Sequence, residues 1–278
     1  MYDGYTLIRI SRAGRIVTAT VDNPPINLIT LRLYAELARL SEELASDPDP
    51  LVFILKSANP DFFLAHFDVA AILNFPIDRP ASREDGENNA YHAMTERFRV
   101  MDKVTIAQIE GRVGGGGSEL AMAFDMRFGV TGKTIINQME APLGILPGGG
   151  GTQRLPRLIG RHRAIEVILG GIDLDAATAE RWGYLNRALA PGEIGPYVDT
   201  LARRIASFPP EAIRLAKQSI NCADKPLADG LRDESNLFQQ LIRTESGRRN
   251  MARFLEIGGQ TREGELRVAE LSGSLGEE

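Results

Sequence analysis

Residues 104–125 hold the groups best placed to do chemistry. The stretch opens with an apolar run over 104–109, of the length and composition of a buried strand. Glu110-Gly111-Arg112-Val113 leads into four glycines, Gly114 to Gly117. Ser118-Glu119 leads out into Leu120-Ala121-Met122-Ala123-Phe124, whose residues favour helix. A strand, a glycine turn and a helix start make an anion site. Glycines let the backbone come close to a ligand, and the first N–H groups of a helix have no partner inside it. The spacing puts Glu119 in the first helical turn, beside the same point. One short segment can therefore offer both oxyanion donors and a carboxylate acid/base. A flexible linker shares the Gly-Ser composition, but the apolar flanks on both sides argue against a joint here.

A second glycine run, Gly148 to Gly151, precedes Thr152-Gln153-Arg154-Leu155. Neither run is a nucleotide motif. The first lacks the acidic residue that ends a second strand about twenty positions on, and the second is not followed by Gly-Lys-Ser/Thr. The second run reads as a structural turn packed closely under the active site.

The elements that must position these groups follow from periodicity. Residues 5–10 and 16–21 are β-type runs around Arg12-Ala13-Gly14-Arg15, a hairpin signal. Thr30 is an N-cap followed by Leu33, Leu37, Leu40 and Leu44 on one helical face. Residues 51–55 are a buried strand, and strand, strand, helix, strand favours an α/β fold. Residues 59–72 read as a loop running into a short helical turn, the kind of place where ligands meet α/β sheets. Residues 74–89 read as a polar surface loop, 90–101 as helix and 126–130 as strand. Helical patterns follow at 164–169, 176–182, 194–208, 210–221, 227–243 and 248–255. The polar tail after Gly258 is expected to fray, and no internal sequence repeat is obvious.

Composition narrows the function. The chain has 278 residues, 43% hydrophobic and 25% charged, as in a globular protein with one large domain or a domain plus an appendage. A net charge of −5 leaves no basic footprint for nucleic acid. One cysteine, Cys222, excludes an internal disulfide and disfavours a Cys-based zinc site, and His66, His92 and His162 show no metal spacing. The chain begins almost at once in a strand, with no signal peptide or membrane span, so the expectation is a cytoplasmic enzyme with no membrane partner.

Four segments resemble the crotonase superfamily, also called the enoyl-CoA hydratase/isomerase family, over residues 5–254. Asn23-Pro24-Pro25-Ile26-Asn27 resembles its N-terminal turn. Phe63-Leu64-Ala65-His66-Phe67-Asp68-Val69 resembles its first oxyanion loop, and Gly114-Gly115-Gly116-Gly117-Ser118-Glu119-Leu120-Ala121 its second. Gln138-Met139-Glu140, with residues 143–155 from Leu143-Gly144-Ile145-Leu146-Pro147 through the second glycine run, resembles the segment carrying a second catalytic glutamate.

That resemblance implies an α/β fold, a spiral of ββα units over 1–195, with a helical C-terminal region over 196–278 used for trimer contacts. It implies a homotrimer, or a hexamer of two trimers, and an acyl-CoA thioester substrate, with no cofactor beyond the coenzyme A that the substrate carries. By motif position Phe67 and Gly116 donate to the thioester oxygen. Ala65, Phe67, Asp68, Val69, Ala70, Gly115 and Gly116 line the substrate. Glu119 activates water and Glu140 exchanges the proton at Cα, so the expected reaction is hydration of a 2-enoyl-CoA. An enolate-like state gathers charge on the thioester oxygen, where each preorganised N–H is worth on the order of 3 kcal/mol. Two carboxylates in one site suit the two proton transfers, because their repulsion raises one pKa.

The alternatives are another acyl-CoA reaction (isomerase, hydrolase or dehalogenase-like) and a non-catalytic CoA-binding or RNA-binding homologue. Both glutamates are kept, which argues against the isomerase and against a dead enzyme, and the acidic balance argues against RNA. One departure is His66, where the family usually has glycine. If that position needs φ > 0, His is among the less unfavourable substitutes. It reads as a loop residue facing away, with a third acid/base group as the alternative. Phe67 is bulkier than the alanine common in hydratases.

Overall fold

The chain winds through two sheets: after a hairpin within the first, it places one strand in each before a helical return. The computed structural model describes residues 1–87 and 89–276. β1 (Ile8–Ala13) and β2 (Ile16–Val21) pair antiparallel in register, with Ala13 opposite Ile16. Thr30 caps α1 (Leu31–Ser46), its hydroxyl accepting from Leu33 N–H at 3.2 Å. Leu33, Leu37, Leu40 and Leu44 are all buried on the face that the sequence pattern singles out.

β3 (Val52–Ser57) joins the first sheet and β4 (Phe62–Leu64) crosses to the second. α2 (Val69–Ile72), α3 (Arg83–Glu87) and α4 (Ala90–Val100) bring the chain back. The step then recurs. β5 (Val104–Ile109) enters the first sheet, β6 (Arg112–Gly114) the second, and α5 (Gly115–Met122) returns. β7 (Met126–Val130) and β8 (Ile135–Asn137) repeat it, followed by α6 (Gly151–Ile159) and α7 (Arg161–Gly170). β9 (Leu174–Asp175), α8 (Ala176–Trp182) and β10 (Arg187–Leu189) complete the sheets. The six-stranded sheet has order β1-β2-β3-β5-β7-β10 and the four-stranded sheet β4-β6-β8-β9. This is the α/β spiral of ββα turns that the resemblance implies.

A helical region follows: α9 (Ile194–Ala206), α10 (Pro210–Asn221), α11 (Leu227–Leu241), α12 (Glu245–Glu256), α13 (Arg262–Glu265) and α14 (Val268–Ser274). One face of the large sheet packs on α1, α4 and α5, where Phe53, Phe98 and Phe124 meet with centroids 5.1–5.8 Å apart. The other face packs on α9, where Val198 and Ala202 meet Val52, Ile54 and Ile106. Lys217 of α10 is buried, and its Nζ donates to Asp125 Oδ2 at 2.8 Å and to Lys103 O at 2.6 Å, tying the helical region to the start of β5.

Several local expectations change. β4 and β6 are strands too short to show a period. Residues 74–89, expected to be a surface loop, contain α3; residue 88 of that stretch lies outside the described residues, as do 277 and 278 of the helical region. The tail expected to fray folds into α13 and α14, and Arg204 Nη2 donates to Ala269 O, fastening it to α9. The four glycines do not form a turn before a helix. Gly114 is the N-cap and Gly115, Gly116 and Gly117 are the helix's first residues.

Glycine is a poor helix former, and close packing explains its use. A Cβ on Gly117 would lie 2.5 Å from the Leu64 carbonyl oxygen of β4. Gly117→Ala is therefore expected to lower the unfolding free energy by about 1–3 kcal/mol through overpacking, despite the gain in helix propensity. Urea denaturation checks this, and an equal or higher stability would contradict it.

Candidate active site

The approach of the loop after β4 to the start of α5 builds the first half of the site. A Cβ on Gly116 would meet Phe67 Cβ at 3.1 Å and the Phe67 backbone nitrogen at 3.3 Å, so only glycine lets the two segments come this close. Phe67 forms a parallel bridge with Ile29: Ile29 N–H donates to His66 O at 2.9 Å and Asp68 N–H donates to Ile29 O at 3.1 Å. That pattern turns the N–H of Phe67 itself away from Ile29, to the side where Gly116 lies. Gly116 is in the first turn of α5, whose N–H groups have no acceptor within the helix. Two backbone donors on separate segments thus stand side by side. Tyr91 of α4 donates its hydroxyl proton to Gly116 O at 2.6 Å, and its ring meets that of Phe67 edge-on at 6.0 Å.

Glu119 is the fifth residue of α5, not part of its first turn as the sequence spacing predicts, because the helix begins among the glycines. It is 3% exposed. Its Oε1 accepts from Gly149 N–H at 2.8 Å and from Gly151 N–H at 2.7 Å. The second glycine run is therefore more than a structural turn. It opens α6, with Gly150 at φ +113 as N-cap, and it holds an anion that is a side chain of the protein itself. Burial raises the Glu119 pKa, while the N–H groups of Gly151 and Gly149 and the Arg154 guanidinium pull it back down. Arg154 Nη1 donates to Gly149 O at 3.2 Å, and the His92 Nε2 lies 2.7 Å from Gly148 O.

Glu140 follows β8 and sits across the start of α5. A Cβ on Gly115, at φ +42, would meet Glu140 Oε1 at 2.9 Å and His66 Cβ at 3.0 Å. Burial first and the charge of Glu119 second push the Glu140 pKa up to about 7, against two backbone N–H groups that lower it. Gln138 is fully buried beside it. With its amide nitrogen toward Glu140, it donates to Oε2 at 3.0 Å and Oε1 at 3.3 Å, while its oxygen accepts from Ser118 Oγ at 3.1 Å. Ser118 Oγ in turn is 2.8 Å from Tyr184 Oη.

Of the remaining expected residues, Ala65 is buried, and its N–H donates to Asn27 O at 3.3 Å. Asp68 caps α2, accepting from Ala70 N–H at 2.9 Å, and Val69 and Ala70 form the first turn of that helix. His66 does not have positive φ; among the described residues the non-glycine residues that do are Tyr2, Asn27 and Gln260. His66 Nδ1 lies 2.8 Å from Phe67 O. Among the described residues no group of three or more His, Cys, Asp or Glu side chains could hold a metal ion. Sequence reasoning missed Tyr91, Gln138, Arg154 and the N–H groups of Gly149 and Gly151. The last had a signal: like the first glycine run, the second opens a helix.

The arrangement offers two N–H donors for an oxyanion, one carboxylate bound by a helix N-terminus, and one carboxyl that keeps its proton to near neutrality. Comparison with known proteins agrees. The family model described as "Enoyl-CoA hydratase/isomerase" matches residues 11–262. A protein of Mycobacterium leprae named "Probable enoyl-CoA hydratase echA8" is 31% identical over 255 residues, covering 91% of this chain and 96% of that protein. The "Short-chain-enoyl-CoA hydratase" of Clostridium acetobutylicum is 30% identical over 89% of this chain and 94% of its own. The crystal structure of an enoyl-CoA hydratase from Bacillus anthracis superposes with a TM-score of 0.82 at 28% identity, covering 90% of this chain and 96% of that one.

The raised pKa of Glu140 has a consequence for stability. Between the ordinary value of 4.5 and about 7 the folded protein keeps a proton that the unfolded chain releases. Stability from this group therefore falls as pH rises through that window. Glu140→Gln removes the penalty and should raise Tm by about 2–6 °C at pH 8.5, with a smaller gain at pH 5. Thermal denaturation at the two pH values checks this, and a gain independent of pH would contradict it.

Proposed function

The chain belongs to the enoyl-CoA hydratase/isomerase family, and we infer that it is an enoyl-CoA hydratase, a hydro-lyase adding water across the double bond of a 2-enoyl-CoA thioester. The observation that carries this reading is the pair of buried glutamates, Glu119 bonded to two backbone N–H groups and Glu140 raised further by the charge of Glu119, beside the backbone N–H groups of Phe67 and Gly116.

In this reading the thioester oxygen lies against the N–H groups of Phe67 and Gly116, and the coenzyme A portion runs along residues 65–70 and past Gly115. Glu119 uses Oε2 for the attacking water, because Oε1 is already taken by Gly149 and Gly151. Water oxygen bonds to the β-carbon as Glu119 accepts its proton, and the double-bond electrons move onto the thioester oxygen. The N–H pair stabilises that charge. The enolate collapses as Cα takes the proton of Glu140, giving the 3-hydroxyacyl-CoA. Only water is consumed, so the chemistry calls on no metal or redox group. Glu140 suits the acid role because it retains its proton to about pH 7.

The reading extends to a homotrimer, or a hexamer of two trimers, built through the helical C-terminal region. What supports it is a series of exposed apolar side chains there: Leu227 and Leu231 on α11 with Phe238, and Met251 and Leu255 on α12. Among the described residues no helix is long and apolar enough to cross a membrane.

Loss of enoyl-thioester absorbance tests the assignment, with crotonyl-CoA and a panel of longer and aromatic enoyl-CoAs. Glu119→Gln and Glu140→Gln should each lower kcat by about 10²–10⁴-fold while thioester binding survives. Hydration by the parent protein should decline as pH rises past about 7, where Glu140 loses its proton. Full activity in Glu140→Gln would sink the assignment.

A further inference from the structure

Behind Glu140 lies a buried chain of groups, each of which can both donate and accept. It runs from Glu140 through the Gln138 amide and the Ser118 hydroxyl to the Tyr184 hydroxyl. Gln138 and Ser118 are fully buried and Tyr184 is 0% exposed, so no bulk water reaches them to repair an unmatched partner. The two ends differ. Tyr184 is fixed: Arg127, itself buried, donates from Nε to Tyr184 O at 2.7 Å and from Nη1 to Phe124 O at 2.7 Å. Glu140 changes charge.

We propose that Gln138, Ser118 and Tyr184 are positioning residues that reverse their hydrogen bonds together with the protonation state of Glu140, so that this carboxyl is bonded both with and without its proton. The proposal rests on the reading of Glu140 as the group that exchanges the proton at Cα. When Glu140 is a carboxylate, the chain runs toward it. Tyr184 Oη donates to Ser118 Oγ at 2.8 Å, Ser118 donates to the Gln138 oxygen at 3.1 Å, and the Gln138 nitrogen donates to Glu140 at 3.0 Å.

When Glu140 holds its proton on the oxygen that faces Gln138, that run is opposed, because the carboxylic O–H then needs an acceptor where the Gln138 nitrogen stands. A half-turn of the Gln138 amide supplies one on the same atom positions. Glu140 O–H then donates to the Gln138 oxygen, the Gln138 nitrogen donates to Ser118 Oγ, and Ser118 donates to Tyr184 Oη. The Tyr184 proton also has an acceptor in this direction, the Ser118 carbonyl oxygen at 3.4 Å. Both directions give the Glu140, Ser118 and Tyr184 hydroxyl-type hydrogens and one Gln138 N–H an acceptor. Apart from the Glu140 proton and the turn of the Gln138 amide, only hydrogen-bond direction changes, and Gln138, Ser118 and Tyr184 neither gain nor lose a proton.

The arrangement matters because Glu140 must pass between the two forms in each turnover. An acceptor-only or donor-only neighbour would favour one form and hold the carboxyl there. The other titratable groups around Glu140 are Glu119 on α5, Tyr91 on α4 and His66 after β4. Burial and the charge of Glu119 keep Tyr91 protonated. Ser118 also precedes Glu119 in α5, so the chain links the segments that carry the two glutamates.

Neutron diffraction from crystals of the unaltered protein at pD 5.5 and 8.5 tests this without reference to turnover. The expected result is a deuteron on Glu140 facing the Gln138 oxygen at the lower pD, and the Gln138 ND₂ group facing Glu140 at the higher. A single amide orientation at both values overturns the proposal. Kinetics give a second readout. Gln138→Met should lower kcat by about tenfold, leave KM within about twofold, and move the alkaline limb of the pH profile upward, because the carboxylate loses a charge-assisted bond. An unmoved limb in that variant also overturns the proposal. Absence of hydration by the parent protein, with the amide still turning between the two pD values, would count against the hydratase reading alone.

Discussion

A buried carboxylate tied to two backbone N–H groups is the interaction on which the rest of the site depends. Glu119 loses almost all contact with water, and a charge in that position is costly unless it is hydrogen-bonded. The N–H groups of Gly149 and Gly151 supply the bonds, at the start of α6 where the helix dipole adds to them. The approach leaves no room for side chains. A Cβ on Gly149 would fall 2.6 Å from Glu119 Oε2, and one on Gly151 3.0 Å from Oε1. The glycine loop is held from outside by Arg154 on Gly149 O and by His92 against Gly148 O. Two successive turns of the spiral are thereby locked to one another through a single side chain, Glu119.

The same contact separates the two glutamates chemically. Both are pushed toward the neutral form by burial, but only Glu119 has a helix N-terminus and a nearby guanidinium to offset it. Glu140 feels Glu119 as a like charge and is pushed further up. One carboxylate is suited to take a proton from water and the other to give one to carbon. The side chains are identical, so the difference arises from what packs on each: the start of α6 on Glu119, and Glu119 itself near Glu140.

Much of this was legible in the sequence, and the boundary has physical causes. The leucine period after Thr30, the apolar run at 104–109 and the helix of 176–182 are local signals, and α1, β5 and α8 follow them closely. The ββα spiral was legible only through resemblance, because β4, β6 and β8 are three residues each and the structural repeat has no sequence repeat behind it. α5 starts earlier than the glycine run predicts, because packing outweighs glycine's intrinsic cost in a helix. Contacts with Leu64 and Phe67 decide the matter, and they are distant in sequence. Tyr91 and Tyr184 carried no local mark, and Gln138 stood out only as part of the segment that resembles the family. Their roles come from what folds against them, which no spacing rule records.

The central claim is a division of labour: Glu140 with the N–H pair of Phe67 and Gly116 handles the proton at Cα, and Glu119 handles water. Exchange of the α-hydrogens of a saturated acyl-CoA, butyryl-CoA, into D₂O isolates the first half, because no water is added. Proton NMR of the exchange in the parent protein and in each glutamine variant measures it. The account predicts that exchange persists in Glu119→Gln and is lost in Glu140→Gln. Exchange that disappears in Glu119→Gln and continues in Glu140→Gln would contradict it.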